Sequence, residues 1–139
     1  MDYRMNELSL TLPGDAWADE SVNVIFVIAP DKSRVAIVVN RSAPVDEDKL
    51  AAKVDEDIKN ESRRLRGFEL LRRGTFTAGG ITGVALRFRW VHDDGPLHHA
   101  MAYLPLGDRL LLFTITAKAS QAGACDELLS AVTETIKPR

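Results

Sequence analysis

The 139-residue sequence holds a single cysteine, Cys125, which excludes an internal disulfide framework and suits a reducing compartment. It also has little net charge, since 18 basic against 20 acidic residues give a formal value of -2. No global field is present to gather phosphate backbones or anionic lipid heads, so nucleic acid is not expected as a partner. Long apolar runs are missing too. The longest, around residues 22–30 and 109–117, fall far short of the ~20 residues a helix needs to cross a bilayer, and no direct membrane insertion is expected. Residues 1–20 are polar-punctuated and carry Pro13 and Gly14, unlike a secretory signal, which makes the cytoplasm the expected location. Repeats, low-complexity tracts and domain linkers are likewise lacking. What remains is an ordinary globular composition, 45% hydrophobic and 27% charged, long enough to bury one core without metals, so a single domain over residues 1–139 is expected.

Hydrophobic periodicity supplies the elements. Leu8, Leu10 and Leu12 alternate with Glu7, Ser9 and Thr11, the period-2 pattern of a half-buried strand, and Pro13-Gly14-Asp15 ends it. Two β-branched runs, 22–28 and 34–41, flank Pro30-Asp31-Lys32-Ser33 and read as a hairpin. The period then changes. Leu50, Val54, Ile58 and Leu65 recur at helical spacing over residues 45–66, with acidic residues Asp46, Glu47 and Asp48 at the start and Arg63, Arg64 and Arg66 at the end, as the helix dipole favours, and Gly67 placed to cap. Four more strands follow at 70–76, 81–92, 97–106 and 109–117, linked by short glycine-containing turns that imply antiparallel neighbours. Ser120 is the expected N-cap of a closing helix with Ala124, Leu128, Val132 and Ile136 as its apolar stripe, stopped by Pro138. Strands, a helix, a four-strand meander and a helix make an α+β fold: a mostly antiparallel sheet of about seven strands with one long central helix and one C-terminal helix.

No catalytic, metal or cofactor site is expected. His92, His98 and His99 lie on adjacent strands, but neighbours along a strand point to opposite faces, and neither Cys nor paired carboxylate completes a tetrahedron, so they read as solvated strand-end histidines. Gly79-Gly80-Ile81-Thr82-Gly83 precedes a strand rather than the helix a phosphate cradle requires, and reads as a hairpin turn. Cys125 sits beside the last helix's apolar stripe with no histidine near in sequence and reads as a small buried thiol. The helical carboxylates read as a solvated face. Asp57 is the exception, because it neighbours Ile58 at the edge of the apolar stripe, where a carboxylate would stand beside a groove.

The early strands are apolar on both faces. Val22, Val24 and Phe26 alternate with Asn23, Ile25 and Val27, while bulky Val35, Ile37 and Val39 back small or polar Ala36, Val38 and Asn40. The plainer reading is a sheet covered on both sides by its own helices. The sharper one is an apolar groove that admits another backbone.

Tyr3-Arg4-Met5, Leu12-Pro13, Asp15-Ala16-Trp17 and Ser21-Val22-Asn23-Val24, with Val39-Asn40-Arg41, Leu65-Arg66-Gly67-Phe68 and Arg89-Trp90, resemble over nearly the whole chain the effector-associated (Eag) chaperones of bacterial type VI secretion, within the DcrB-like group. The resemblance implies a PsbP/Mog1-like fold and a homodimer. It further implies a non-enzymatic chaperone that binds the N-terminal transmembrane helices of a prePAAR/Rhs-type effector in an apolar groove and aids its loading for export. Carried over by position, Val22, Val24, Ala36, Val38 and Asn40 match groove-lining strand residues, Asp57 a polar helix position and Met101 a late-strand position. The family can show amides where this chain has Asp57 and Met101, which shifts the expected binding toward packing. Seven strands would span ~34 Å, enough for a ~30 Å membrane helix laid across them. The alternative function is a DcrB-like structural or interaction module without such cargo; a small-ligand enzyme ranks last, because no convergent polar groups are evident.

Overall fold

A computed structural model describes residues 2–4, 9–11, 22–28 and 34–136. Its elements run β1 (Asp2–Arg4), β2 (Ser9–Thr11), β3 (Asn23–Ile28), β4 (Arg34–Ser42), α1 (Glu47–Arg64), β5 (Glu69–Ala78), β6 (Ile81–His92), β7 (Gly95–Leu106), β8 (Arg109–Lys118) and α2 (Ala122–Glu134). Six strands form one sheet in the order β3-β4-β8-β7-β6-β5, and every neighbouring pair in it is antiparallel. The α+β class holds, with one correction to the strand count. The expected first strand appears as β2, which pairs with β1 in a separate two-stranded sheet, so the main sheet has six strands rather than seven. The turns expected at Pro13-Gly14-Asp15 and Pro30-Asp31-Lys32-Ser33, and the stop at Pro138, lie outside the described residues.

Local chemistry explains most boundaries. Gly79 and Gly80 both take positive φ, 57° and 80°, which a two-residue hairpin turn between right-twisted strands requires. The meander closes when β8 returns beside β4, joining the two halves of the chain through Val39 opposite Phe113 and Ile37 opposite Ile115. Helix α1 starts with Glu47 and Asp48 and ends with Arg63 and Arg64, complementing its dipole. Ser120 is not the cap of α2. Residues Ala119–Gln121 form a 3-10 turn, and the helix begins at Ala122 after Gln121, without a side-chain cap.

The sheet divides the interior in two. On one face, Cys125 and Leu129 of α2 pack on Ala100, Ala102 and Leu104 of β7 and on Phe113 and Ile115 of β8. On the other, Leu50 and Val54 of α1 pack on Val84 and Leu86 of β6, Tyr103 of β7 and Leu110 of β8. Alternation along β7 makes these opposite faces. Val54 and Ile115 are fully buried, and each such side chain contributes ~1.5–3 kcal/mol of burial.

Candidate functional site

Helix α1 rests chiefly on β6 and reaches Tyr103 of β7 and Leu110 of β8, so the rest of its face, toward β4 and β3, carries no helix among the described residues. Register fixes what lies there. Val24 pairs with Val38, Val38 with Thr114, and Thr114 with Met101; Met101 in turn pairs with Leu86, which packs in the core beneath α1. Successive strand neighbours of one row share a face, so Val24, Val38, Thr114, Met101 and Leu86 form a continuous band from the β3 edge to the foot of α1. Asn40 opposite Leu112 begins the next row, which continues to Tyr103.

Six of the seven expected groove residues, Val24, Ala36, Val38, Asn40, Asp57 and Met101, thus lie on or beside one face. Val22 stands one residue before β3 and is 53% exposed; Val24 is 51% exposed. Ala36, Val38, Asn40 and Met101 are half-buried. Among the described residues no helix covers this part of the sheet: α2 lies on the opposite face, where Ile37 and Val39 point inward. Three further residues, not singled out by the sequence, join this face. Leu112 and Thr114 belong to β8, and Tyr103 follows Met101 by two residues, the spacing that puts both on one face.

At the foot of α1 the band opens into a cavity of about 240 Å³ whose apolar wall includes Leu86, Phe88, Met101 and Leu112. Asp57 and Glu61 of α1 stand at its edge. The Tyr103 hydroxyl donates to Asp57 Oδ2 at 2.9 Å, and Lys53 Nζ donates to Oδ1 at 3.0 Å. Burial, the bond to Asp57 and the charges of Asp57 and Glu61 push the Tyr103 hydroxyl pKa upward. It therefore stays a neutral donor that holds the carboxylate in place. Asp57 thus stands beside an apolar wall.

His92, the last residue of β6, keeps the solvated strand-end reading, with its side chain 42% exposed, but His98 and His99 depart from it. His99 sits on the α1 face, stacked on Phe88 with centroids 4.8 Å apart. Trp90 Nε1 donates to its Nε2 at 2.8 Å, and Thr116 Oγ1 lies 3.1 Å from its Nδ1. The unprotonated nitrogen is thus Nε2, leaving Nδ1–H toward Thr116. Burial, then the positive neighbours His98 and Arg64, lower its pKa to about 4. On the α2 face, His98 is only 2% exposed, and its Nε2 lies 2.8 Å from Asp126 Oδ1, the same oxygen that Arg87 Nε reaches at 2.8 Å. Alternation had separated His98 from His99 correctly, but folding brings α2 over His98, a long-range contact no local pattern encodes.

No histidine is near Cys125 in sequence, but folding brings His98 beside it. Donor atoms of His98, Cys125 and Asp126 lie within 4.8 Å of one another. The geometry favours an ion-pair anchor for α2, because the Asp126 oxygen is already shared and the Arg87 guanidinium opposes a second cation there. Burial and the Asp126 charge raise the Cys125 thiol to about 11, and its Sγ lies 3.5 Å from the Ile115 carbonyl oxygen. A protonated, buried thiol is a poor nucleophile, which agrees with its structural reading. The glycine pair at 79–80 is a hairpin turn followed by β6, not a phosphate cradle. No helix among the described residues is long and apolar enough to cross a membrane.

Known proteins match this arrangement. The chain is 26% identical over 138 residues, 99% of its length and 95% of the relative's, to Effector EagT6 of Pseudomonas aeruginosa PAO1. A crystal structure of PA94, a Pseudomonas aeruginosa protein of unknown function, superposes with a TM-score of 0.80 at 24% identity, covering 100% of this chain and 96% of that one. LpqN, involved in cell envelope biogenesis of Mycobacterium tuberculosis, gives 0.58 at 15% identity over 88% of both chains. Cyanobacterial PsbP (CyanoP) from Synechocystis gives 0.53 at 12%, covering 96% and 89%. These structures bear out the PsbP-like fold, and the EagT6 similarity bears out the likeness to Eag proteins. Residues 7–135 match the DcrB family model, and on that match over nearly its whole length the chain belongs to the DcrB family.

Proposed function

We propose that the protein is a non-enzymatic, cytoplasmic chaperone of type VI secretion that shields an N-terminal transmembrane helix of a prePAAR/Rhs-type effector and aids its loading for export. The observation that carries this reading is the uncovered band Val24, Val38, Thr114 and Met101, which leaves apolar strand surface open beside α1. Similarity to EagT6 supports an effector as the partner.

The dimensions suit one helix. Four strands from β3 to β7 give three spacings of ~4.8 Å, or ~14 Å of width, against a helix diameter of ~10–12 Å. The nine residues of β4 extend ~30 Å, the length of a ~20-residue helix. Because α1 stands at the β6 end of the face, the helix fits along the strands rather than across the whole sheet. Covering its apolar surface is worth ~25 cal/mol per Å², which opposes aggregation and premature insertion. A second subunit in a homodimer would cover the side of the helix that one sheet leaves wet.

Detergent-free copurification of the tagged protein from its native host tests the reading. An effector with N-terminal membrane segments is the expected companion, and it should be lost from the Val24→Asp and Val38→Asp variants while both remain folded. Recovery of no such effector under secretion-active conditions would leave an interaction module without membrane-segment cargo.

A further inference from the structure

We infer that the helix docked on this face carries a lysine or arginine whose side chain enters the cavity below α1 and pairs with Asp57 and Glu61. The inference rests on the proposed function and specifies the chemistry of the cargo. The cross-strand band on which such a helix would sit ends at Met101 and Leu86, and both line that cavity. At about 240 Å³ it is smaller than the ~300–1,000 Å³ of ordinary ligand pockets, so it fits one side chain rather than a separate ligand.

Its lining sets the type of side chain. The wall is apolar at Leu86, Phe88, Met101 and Leu112, and the charged groups that line it, Asp57 and Glu61, are both carboxylates. An apolar sleeve with an acidic edge matches a long cationic side chain, whose methylene stem packs on hydrocarbon while its head reaches a carboxylate. The Tyr103 hydroxyl holds one oxygen of Asp57 in place, and its pKa is raised by burial first, then by the bond to Asp57 and the charges of both carboxylates. Their present cationic partners are displaceable. Lys53 and Arg64 are neighbours on the same helix, with side chains 39% and 69% exposed, and such pairs contribute little.

The test uses two neutral, dansyl-labelled Ala/Leu/Gly helical peptides of about 20 residues, solubilised by an uncharged polyethylene glycol tail. One has a single central lysine and the other norleucine at that place. Fluorescence titration of the full chain without detergent should show the lysine peptide binding about tenfold more tightly at low salt. The preference should shrink in 0.5 M salt. Asp57→Asn, and separately Glu61→Gln, should bring the lysine-peptide affinity toward that of the norleucine peptide. Equal affinities for the two peptides, or a preference that survives the double Asp57→Asn, Glu61→Gln change, would overturn the inference alone. Failure of both peptides to bind would overturn it together with the proposed function.

Discussion

At the scale of single residues, His99 makes the stability of the protein depend on pH. Its imidazole is held neutral by burial, stacked on Phe88 and accepting from Trp90. With a pKa of about 4 against the ordinary 6.5, the unfolded chain binds the extra proton between those values. The stabilisation is therefore complete above about 6.5 and lost as pH falls toward 4. Chemical denaturation should show that His99 removes ~1–2 kcal/mol between pH 7 and pH 5, and the His99→Gln variant should lack that part of the slope. Tyr103→Phe should cost ~1 kcal/mol by removing the donor to Asp57, with the midpoint of the same titration as the readout. These roles were only partly legible in the sequence. Asp57 stood out because a carboxylate beside Ile58 breaks the edge of an apolar stripe. Its partner Tyr103, forty-six residues away, carries no local signal of the pairing, and His98 meets Asp126 across twenty-eight residues.

At the scale of elements, close approach limits what the sheet tolerates. A Cβ added to Gly83 would lie 2.3 Å from the Tyr103 carbonyl oxygen and 2.7 Å from the Phe76 ring. Gly83→Ala should thus shift β6 against β5 and β7 and cost ~1–3 kcal/mol, measured as a lower denaturation midpoint. Helix α2 depends on the carboxylate that His98 and Arg87 share. Asp126→Ala should leave a buried imidazole and a nearly buried guanidinium without their acceptor, at ~1–3 kcal/mol, and hydrogen exchange should show the α2 amides opening first. Element types were largely readable: Leu50, Val54 and Ile58 announced α1, and the expected span of β6 agrees with the observed Ile81–His92. The start of α2 was not, because a 3-10 turn at Ala119–Gln121 absorbs the serine that otherwise signals a cap.

At the scale of the whole molecule, the sheet is unevenly dressed. Helix α2 lies over β7 and β8 on one face, while α1 rests on β6 on the other and leaves the β3–β4 side of that face uncovered among the described residues. The sequence foretold small and polar residues at Ala36, Val38 and Asn40, but period-2 alternation is equally compatible with a face hidden by a helix. Only the placement of α1 over β6 distinguishes the two. The central claim, that this uncovered face receives a cargo helix, is tested most directly by photo-cross-linking in the intact effector complex. A photoreactive residue would replace Val24 on the open face or, as the control, exposed Ser130 on α2. The Val24 position is expected to form an adduct with the effector's N-terminal membrane segment and the Ser130 position is not. Cross-linking from Ser130, or from neither position while the complex remains intact, would contradict it.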